Sequence, residues 1–392
     1  MTRPLLKTVS VLALVSLFPG MAWAEADAQG LADALKHQFS KNGATLTIGS
    51  ATADGDDVVL SDITMKPGEA EPAKLEELRL QDVSESDNGY RIGKIEAPEF
   101  SMTKEGKTLD FGGAAVTGIQ VPKESETDPV RNISVLVEGM TVGPVSVSEG
   151  DAVLFKMDGI VYTSSPYEPG QAIDSEMEMT GVEADMTKLP DPKARAVMQQ
   201  LGYDMLSGGM SMKGSWNPSD GQMTISEWIL DVTDAAALNL SIDLSGLTSE
   251  FMQQVQEIAA KQESGEMNEQ AMGFAMMGLM QQLSFNGAEI ALQDASLTGR
   301  VLDFVAAQQG AKRQDIVNMA KGMTPLLLAQ LQNPGFAKMV SEAVNTYLDD
   351  PQSLTVTAAP DAPVPAPQIM GAAMGAPQTI PDILGVTVTA NE

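Results

Sequence analysis

"GQMTISEWILDVTDAAALNLSIDLSGL", residues 221–247, decides the fold class. Apolar and polar residues alternate through Met223 and Ile225, and again through Leu238, Leu240, Ile242 and Leu244. "TDA" at 233–235 separates the two runs as a turn. A period of two is that of strands with one face wet, and short runs joined by turns form antiparallel pairs.

The same texture extends upstream. "GGMSMKGSW" (208–216) precedes the turn "NPSDG" (217–221), and from 44 to about 185 come "TLTI" (45–48), "VVLSDITM" (58–65), "LEELRLQDV" (75–83), "YRIGKIE" (90–96), "KTLDFGG" (107–113), "NISVLVEGMTVGPVSVS" (132–148) and "AVLFKMDGIVY" (152–162). A looser unit recurs in Leu60-Ser61-Asp62-Ile63, Leu80-Gln81-Asp82-Val83, Met157-Asp158-Gly159-Ile160 and Leu292-Gln293-Asp294-Ala295. Asp and Gly are poor strand residues, so these units predict bulges or bends, and regularly bent strands predict a curled sheet.

Helical spacing occupies the remainder. Leu31, Leu35 and Phe39 recur every four residues within 26–41, and Asn42-Gly43 marks a stop. Pro190 and Pro192 introduce a short helix over 192–202. Thr248 can cap a helix with Phe251, Val255, Ile258 and Ala259 on one face. A second helix follows over about 267–283, then a β run, "AEIALQDASLTGRVLDF" (288–304), then helices near 312–331 and 334–349. In the tail, "SLTVT" (353–357) and "LGVTVT" (384–389) read as strands around a Pro/Ala-rich loop. The expected fold is therefore α+β: a curled, mostly antiparallel sheet with a helical segment, about 248–349, packed against it. The expected divisions are a leader (1–24), an N-terminal β-rich domain (25–185), a sheet-plus-helix domain (186–350), and the tail (351–392) returning to the sheet.

Arg3 and Lys7, the apolar run Val9 to Phe18 and Ala22-Trp23-Ala24 have the form of a cleaved export signal. That run is shorter than the ~20 residues a membrane span requires. The chain has no cysteine, which excludes disulfides and thiolate chemistry. Together these features predict a periplasmic protein with no transmembrane helix in its mature chain. With 53 acids against 24 Lys and Arg, the formal net charge is −29. Such a chain repels phosphate backbones, so nucleic acid is not an expected partner.

Catalytic motifs fail on inspection. Gly106-Lys107-Thr108 lacks the first glycine of a phosphate loop, since Ser101 stands there. Ser101-Met102-Thr103-Lys104 fits S-x-x-K without its partner motifs. Ser211 has Lys213 where a nucleophile elbow needs glycine. "DGDD" (54–57) lacks calcium-loop spacing and reads as an acidic turn. Met177-x-Met179, Met210-x-Met212 and Met276-Met277-x-x-Met280 have spacings found in copper(I) sites, but the chain has a single histidine, His37, to support them. The expectation is a non-enzymatic protein with no cofactor and no metal.

Methionine density is what remains. "AMGFAMMGLM" (271–280) holds four of the 25 methionines, and no charge falls between Glu269 and Glu289. On a helix, Met272, Met276, Leu279, Met280 and Leu283 share a ~100° stripe that Phe274 and Met277 widen. Either this is a core helix on a sheet, or it lines an apolar groove in which thioethers accommodate varied acyl chains. Met272, Phe274, Met276, Leu279 and Met280 are accordingly the candidate ligand-binding residues, for a lipid or other apolar ligand. An envelope scaffold that binds a protein is the other reading, with Ile369, Met370 and Met374 as the partner contact.

The run of short amphipathic strands over 44–300, with L-x-D-I/V bends and the 221–247 segment, resembles the AsmA-like and YdgA-like β-rich proteins of Gram-negative envelopes. That resemblance implies a curled sheet forming an apolar groove and a role in moving phospholipid. Members of those groups commonly keep an N-terminal membrane anchor, whereas this chain carries a cleavable leader, which points to a free carrier or accessory factor.

Overall fold

The computed structural model describes residues 27–41, 43–67, 71–133, 135–263 and 265–392; the expected leader lies outside them. Strands take 43% of the chain, in one large antiparallel sheet, and helices take 34%, so the α+β class holds.

Neighbouring strands follow one another in chain order. β1 (Ala44–Thr47) and β2 (Ser50–Asp54) lie end to end on β3 (Asp57–Pro67), followed by β4 (Ala73–Ser86) and β5 (Gly89–Ala97). Four lines of chain are then each broken in two: β5 with β6 (Phe100–Lys104), β7 (Lys107–Phe111) with β8 (Ala114–Pro122), β9 (Gly139–Val142) with β10 (Val145–Glu149), and β11 (Ala152–Met157) with β12 (Gly159–Ser164). Register carries across the breaks, as Ala97↔Ala114 and Phe100↔Phe111 show. β13 (Ile173–Asp185) pairs with both β11 and β12. β14 (Met205–Asn217), β15 (Gln222–Val232), β16 (Ala236–Ser245), β17 (Ser284–Asp294) and β18 (Ser353–Ala358) follow, with β19 (Val364–Pro365) on the end of β17 and β20 (Val386–Ala390) at the edge. Pairing of β13 with β14 carries the sheet across position 185.

Directly paired residues project to the same face, so register maps the chemistry of the sheet. One row runs Val58, Leu80, Ile95, Val116, Met140, Tyr162 and Met177. It continues through Met212, Trp228, Leu240, Ile290, Val356 and Val388. Two residues along each strand lies a parallel row that includes Ile160, Met179, Met210, Leu230, Leu238, Leu292 and Leu354. Thr163, Glu176, Lys213 and Glu227 form a row on the other face, where Lys213 and Glu227 pair at 3.5 Å. The alternation read from the sequence thus produces a sheet apolar on one side across its full width.

The Asp-containing units adjust that alternation. Asp62 and Asp82 both have φ 52, the left-handed region that short polar residues tolerate better than others. The kink moves the inward phase by one residue, so Leu60 and Ile63 are both buried, as are Leu80 and Val83. No residue is inserted: Ser61↔Ser50 and Thr64↔Thr47 keep one register across Asp62. Asp82, Gly93, Gly118 and Glu138 stand in line across four strands. The curl expected from these units is not found to any strong degree. Kinks aligned at one level crease neighbouring strands together instead of adding a progressive curl.

Helix α1 (Ala28–Lys41) covers the apolar face of the first strands, with Leu31 wholly buried among Val58, Leu60, Leu80 and Ile92. Burying each such leucine contributes about 1.5–3 kcal/mol. Alternating connections place α2 (Pro129–Ile133), α4 (Ser249–Glu263), α5 (Glu269–Met280), α9 (Ala366–Gly375) and α10 (Ile380–Ile383) at one end of the strands. α3 (Pro192–Leu201) and α6 (Leu297–Gln309) lie at the other. α7 (Arg313–Leu328) and α8 (Pro334–Asp349) form a helical hairpin whose turn returns to the first end, where Asn333 Nδ2 donates to the Gln378 carbonyl at 3.0 Å. α8 packs on β18 and β20, where Val388 is buried.

Two expectations are corrected. The β run expected over 288–304 ends at Asp294, and 297–309 is helical. Asp294 Oδ2 accepts the Thr298 backbone N–H at 2.7 Å, Leu302 and Ala306 are buried one turn apart, and Gly310 ends the helix at φ 64. The last L-x-D unit therefore ends a strand and caps a helix. In the tail, β18 and β20 form as read, but the loop between them contains α9, entered through prolines at its first turn, where a missing N–H costs nothing.

Candidate functional site

Under α1 the apolar face closes into a cavity of about 790 Å³. Leu35 and Phe39 of α1 form its roof, and Leu46, Leu60, Ile63, Leu78, Ile92 and Ile119 its floor. The Asp62 and Asp82 kinks make this possible, because they keep Ile63 on the same face as Leu60 and Val83 on that of Leu80. Two polar side chains enter the lining: Gln38, which is buried, and Lys74, which is exposed. Val135 and Val137 are shared with a second cavity of about 370 Å³, which Tyr162, Met212, Trp216, Met223 and Ile225 continue along the same face.

Beyond it the face is open. Leu230 is 41% exposed and Ile290 47%, although both belong to the apolar rows. α1 covers one side of the sheet and α8 packs at the other, leaving a trough between them. Its middle is floored by four methionines in two facing pairs, Met177↔Met212 and Met179↔Met210. Thioether side chains adapt to irregular apolar shapes at little cost.

Polar clasps hold the end of the trough where the 123–138 and 165–172 loops meet. Lys41 Nζ donates to Asn132 Oδ1 at 2.6 Å, tying α1 to α2, and burial lowers the Lys41 pKa. The Tyr167 hydroxyl donates to Asp128 Oδ2 at 3.1 Å, and the Arg131 guanidinium lies 5.3 Å from the Tyr167 ring centroid. Burial first, then the Asp128 carboxylate, pushes the Tyr167 phenol up to about 12. Tyr90, bonded to Asp27 Oδ2 at 3.3 Å, is likewise raised to about 12, chiefly by burial and then by the Asp27 charge.

The methionine helix forms where expected, as α5, with Asn268 as its cap. Leu279 is buried and Met272 half-buried, whereas Met276, Met280 and above all Phe274, at 66%, are exposed. None of the five lines either cavity. Ile369 and Met370 are half-buried on α9, and Met374 is 82% exposed. The acidic 54–57 segment is the β2–β3 turn, with Gly55 at φ 67, and Arg79 spans it by pairing with Asp54 at 2.9 Å and Asp57 at 2.8 Å. Inward strand faces beside the methionine helix are expected from the sequence to line a groove, but Trp228, Ile290 and the sheet methionines are not among the candidate ligand-binding residues it offers. Their signal was plain alternation, which any half-buried strand shares; only the register reveals that the apolar sides join.

A family model described as "Uncharacterized protein" matches residues 229–391, the part from β15 to β20 that carries α4 to α10. No curated protein matches the chain.

Proposed function

We propose that this protein is a non-enzymatic carrier of an apolar, lipid-like ligand, held along the apolar face of its sheet. The observation that carries the reading is the continuity of that face: a cavity under α1 shares Val135 and Val137 with a second cavity, which passes into an exposed apolar floor. The ligand is a long, flexible chain, since the site is long and lined by aliphatic and thioether groups. Lys74, exposed at the lining of the larger cavity, suits an acyl chain with an anionic head. The export signal read from the sequence places this work in the periplasm, where a free carrier would shield an acyl chain from water.

Native mass spectrometry of protein purified without detergent from a periplasmic extract tests this reading. A stoichiometric adduct that extracts as lipid is the expected result. A bare mass in extracts prepared under several conditions overturns it.

A further inference from the structure

A third cavity, of about 250 Å³, opens on the face of the sheet opposite α1. Ser84, Arg91 and Gln120 line it and are paired across β4, β5 and β8. One residue along, Val83, Ile92 and Ile119 form a row buried under α1, so the first row projects the other way. Asn88, in the β4–β5 turn, and Arg131, on α2, complete the donors of the lining; Ser86 is spent on the Gly89 carbonyl, at 3.2 Å. No carboxylate lines this cavity, in a chain with 53 acids against 24 Lys and Arg. Arg91 is steadied from the side by Glu138, whose carboxylate accepts from Nη2 at 2.8 Å and from Nε at 3.4 Å. That arrangement leaves the Arg91 Nη1 group to a ligand. The Arg131 guanidinium lies on the Tyr167 ring, and among the described residues it makes no ion pair. Asp128 is engaged elsewhere: its Oδ1 accepts the Val130 and Arg131 backbone N–H groups, each at 3.0 Å, and its Oδ2 the Tyr167 hydroxyl.

We propose that this cavity binds a phosphate group. A guanidinium fork matches two phosphate oxygens at once, and its charge does not titrate away. Two guanidiniums, the Asn88 and Gln120 amides and the Ser84 hydroxyl together supply more donors than the two oxygens of a carboxylate can use, whereas a phosphate offers further acceptors. The cavity shares Gln120 and Leu136 with the second apolar cavity, and Glu138, the partner of Arg91, lines that second cavity too. Two sources carry the group. One is the headgroup of a phospholipid whose chains lie in the trough, which rests on the carrier reading above. The other is free phosphate, which does not.

Isothermal titration calorimetry of the full chain tests the proposal with dihexanoyl phosphatidic acid, below its micellar concentration, and with inorganic phosphate. At least one of the two is expected to bind saturably. Arg131→Gln and, separately, Ser84→Asp are expected to weaken that binding at least tenfold, and Arg131→Lys to weaken it less, because it keeps the charge without the fork. Ser84 is exposed, so its substitution tests the site without disturbing the core, and each variant is first matched to the parent by thermal unfolding. Phosphatidic acid bound where inorganic phosphate is not assigns the site to a headgroup; inorganic phosphate bound as tightly as phosphatidic acid assigns it to the free ion. The proposal is overturned if neither probe binds, or if Arg131→Gln and Ser84→Asp bind as the parent does. The carrier reading fails separately: a bare mass in the native spectra beside phosphate bound here removes the carrier and leaves this site standing.

Discussion

Asp82 faces Gly93 across the β4–β5 pair, and a methyl group on Gly93 would stand 2.6 Å from the Asp82 Cβ. Asp62 and Gly49 repeat the relationship at 2.7 Å across β3. In each pair the left-handed aspartate leans over a strand that must lack a side chain. The kink and the glycine opposite it form one device that sets the inward phase beneath α1.

Gly93→Ala is expected to destabilise the protein by about 1–3 kcal/mol, the usual cost of overpacking a tight site. Gly93 does not occupy the left-handed region, so this cost is steric. Asp82→Gly relieves strain at φ 52 and is expected to be neutral or slightly stabilising. Asp82→Val, β-branched at positive φ, is expected to cost about 1–2 kcal/mol or more. Urea unfolding midpoints, with slopes compared, check all three.

Tyr90 and Tyr167 give the protein an alkaline limit. Both phenols are raised to about 12 in the folded state, above the ordinary value near 10. The folded state therefore holds these protons more tightly than the unfolded state. The stability they contribute is fully present below about pH 10 and declines as pH rises toward 12. Tyr90 and Tyr167 are expected to ionise near pH 12 in an ultraviolet titration, and near 10 once urea is added. At the acid side, bonding to Arg79 and then to the Asp82 backbone N–H holds the Asp57 carboxyl below the ordinary carboxylate range, so the β2–β3 clasp weakens as pH falls below about 4. Asp57→Asn should flatten that acid limb and leave the alkaline one unchanged.

The methionine helix separates packing from binding. Leu279→Ala is expected to cost about 2–4 kcal/mol, as for a buried leucine. Met276→Ala and Met280→Ala remove exposed groups that line neither cavity, and are expected to change thermal stability little and ligand retention not at all. Ile95→Trp, pointing into the larger cavity, should reduce retention while the fold persists. Mass-spectrometric occupancy measured beside thermal unfolding distinguishes these outcomes.

Much of this fold was legible in the sequence because local chemistry and tertiary placement agree. Leu238 to Leu244 alternates and forms β16; Thr248 caps α4 through the Phe251 N–H at 3.2 Å; Asp62 and Asp82 bend their strands. Residues 297–304 misled because Val301 and Phe304 set between Arg300 and Asp303 suit either period, and only Asp294 acting as a cap decides for helix. The 366–375 segment was hidden by prolines that enter a helix as readily as they fill a loop. The site was legible only in part. Density of methionine drew attention to α5, where Leu279 is buried but Phe274, Met276, Met277 and Met280 are exposed, while the trough depends on which strand lies beside which. No periodicity records that Met177 faces Met212 or that Trp228 faces Leu240.

The central claim, that an apolar chain lies along this face, has a built-in reporter. In a chain beginning at Glu25 the only tryptophans are Trp216 and Trp228; Trp216 lines the second cavity and Trp228 belongs to the apolar row. Bromine on an acyl chain quenches indole fluorescence only on close contact. Titration with dibrominated stearic acid below its micellar concentration is predicted to quench both tryptophans saturably, to a limit that unbrominated stearic acid does not reach but can compete away. Fluorescence that stays constant, or that falls linearly without saturation or competition, would contradict the account.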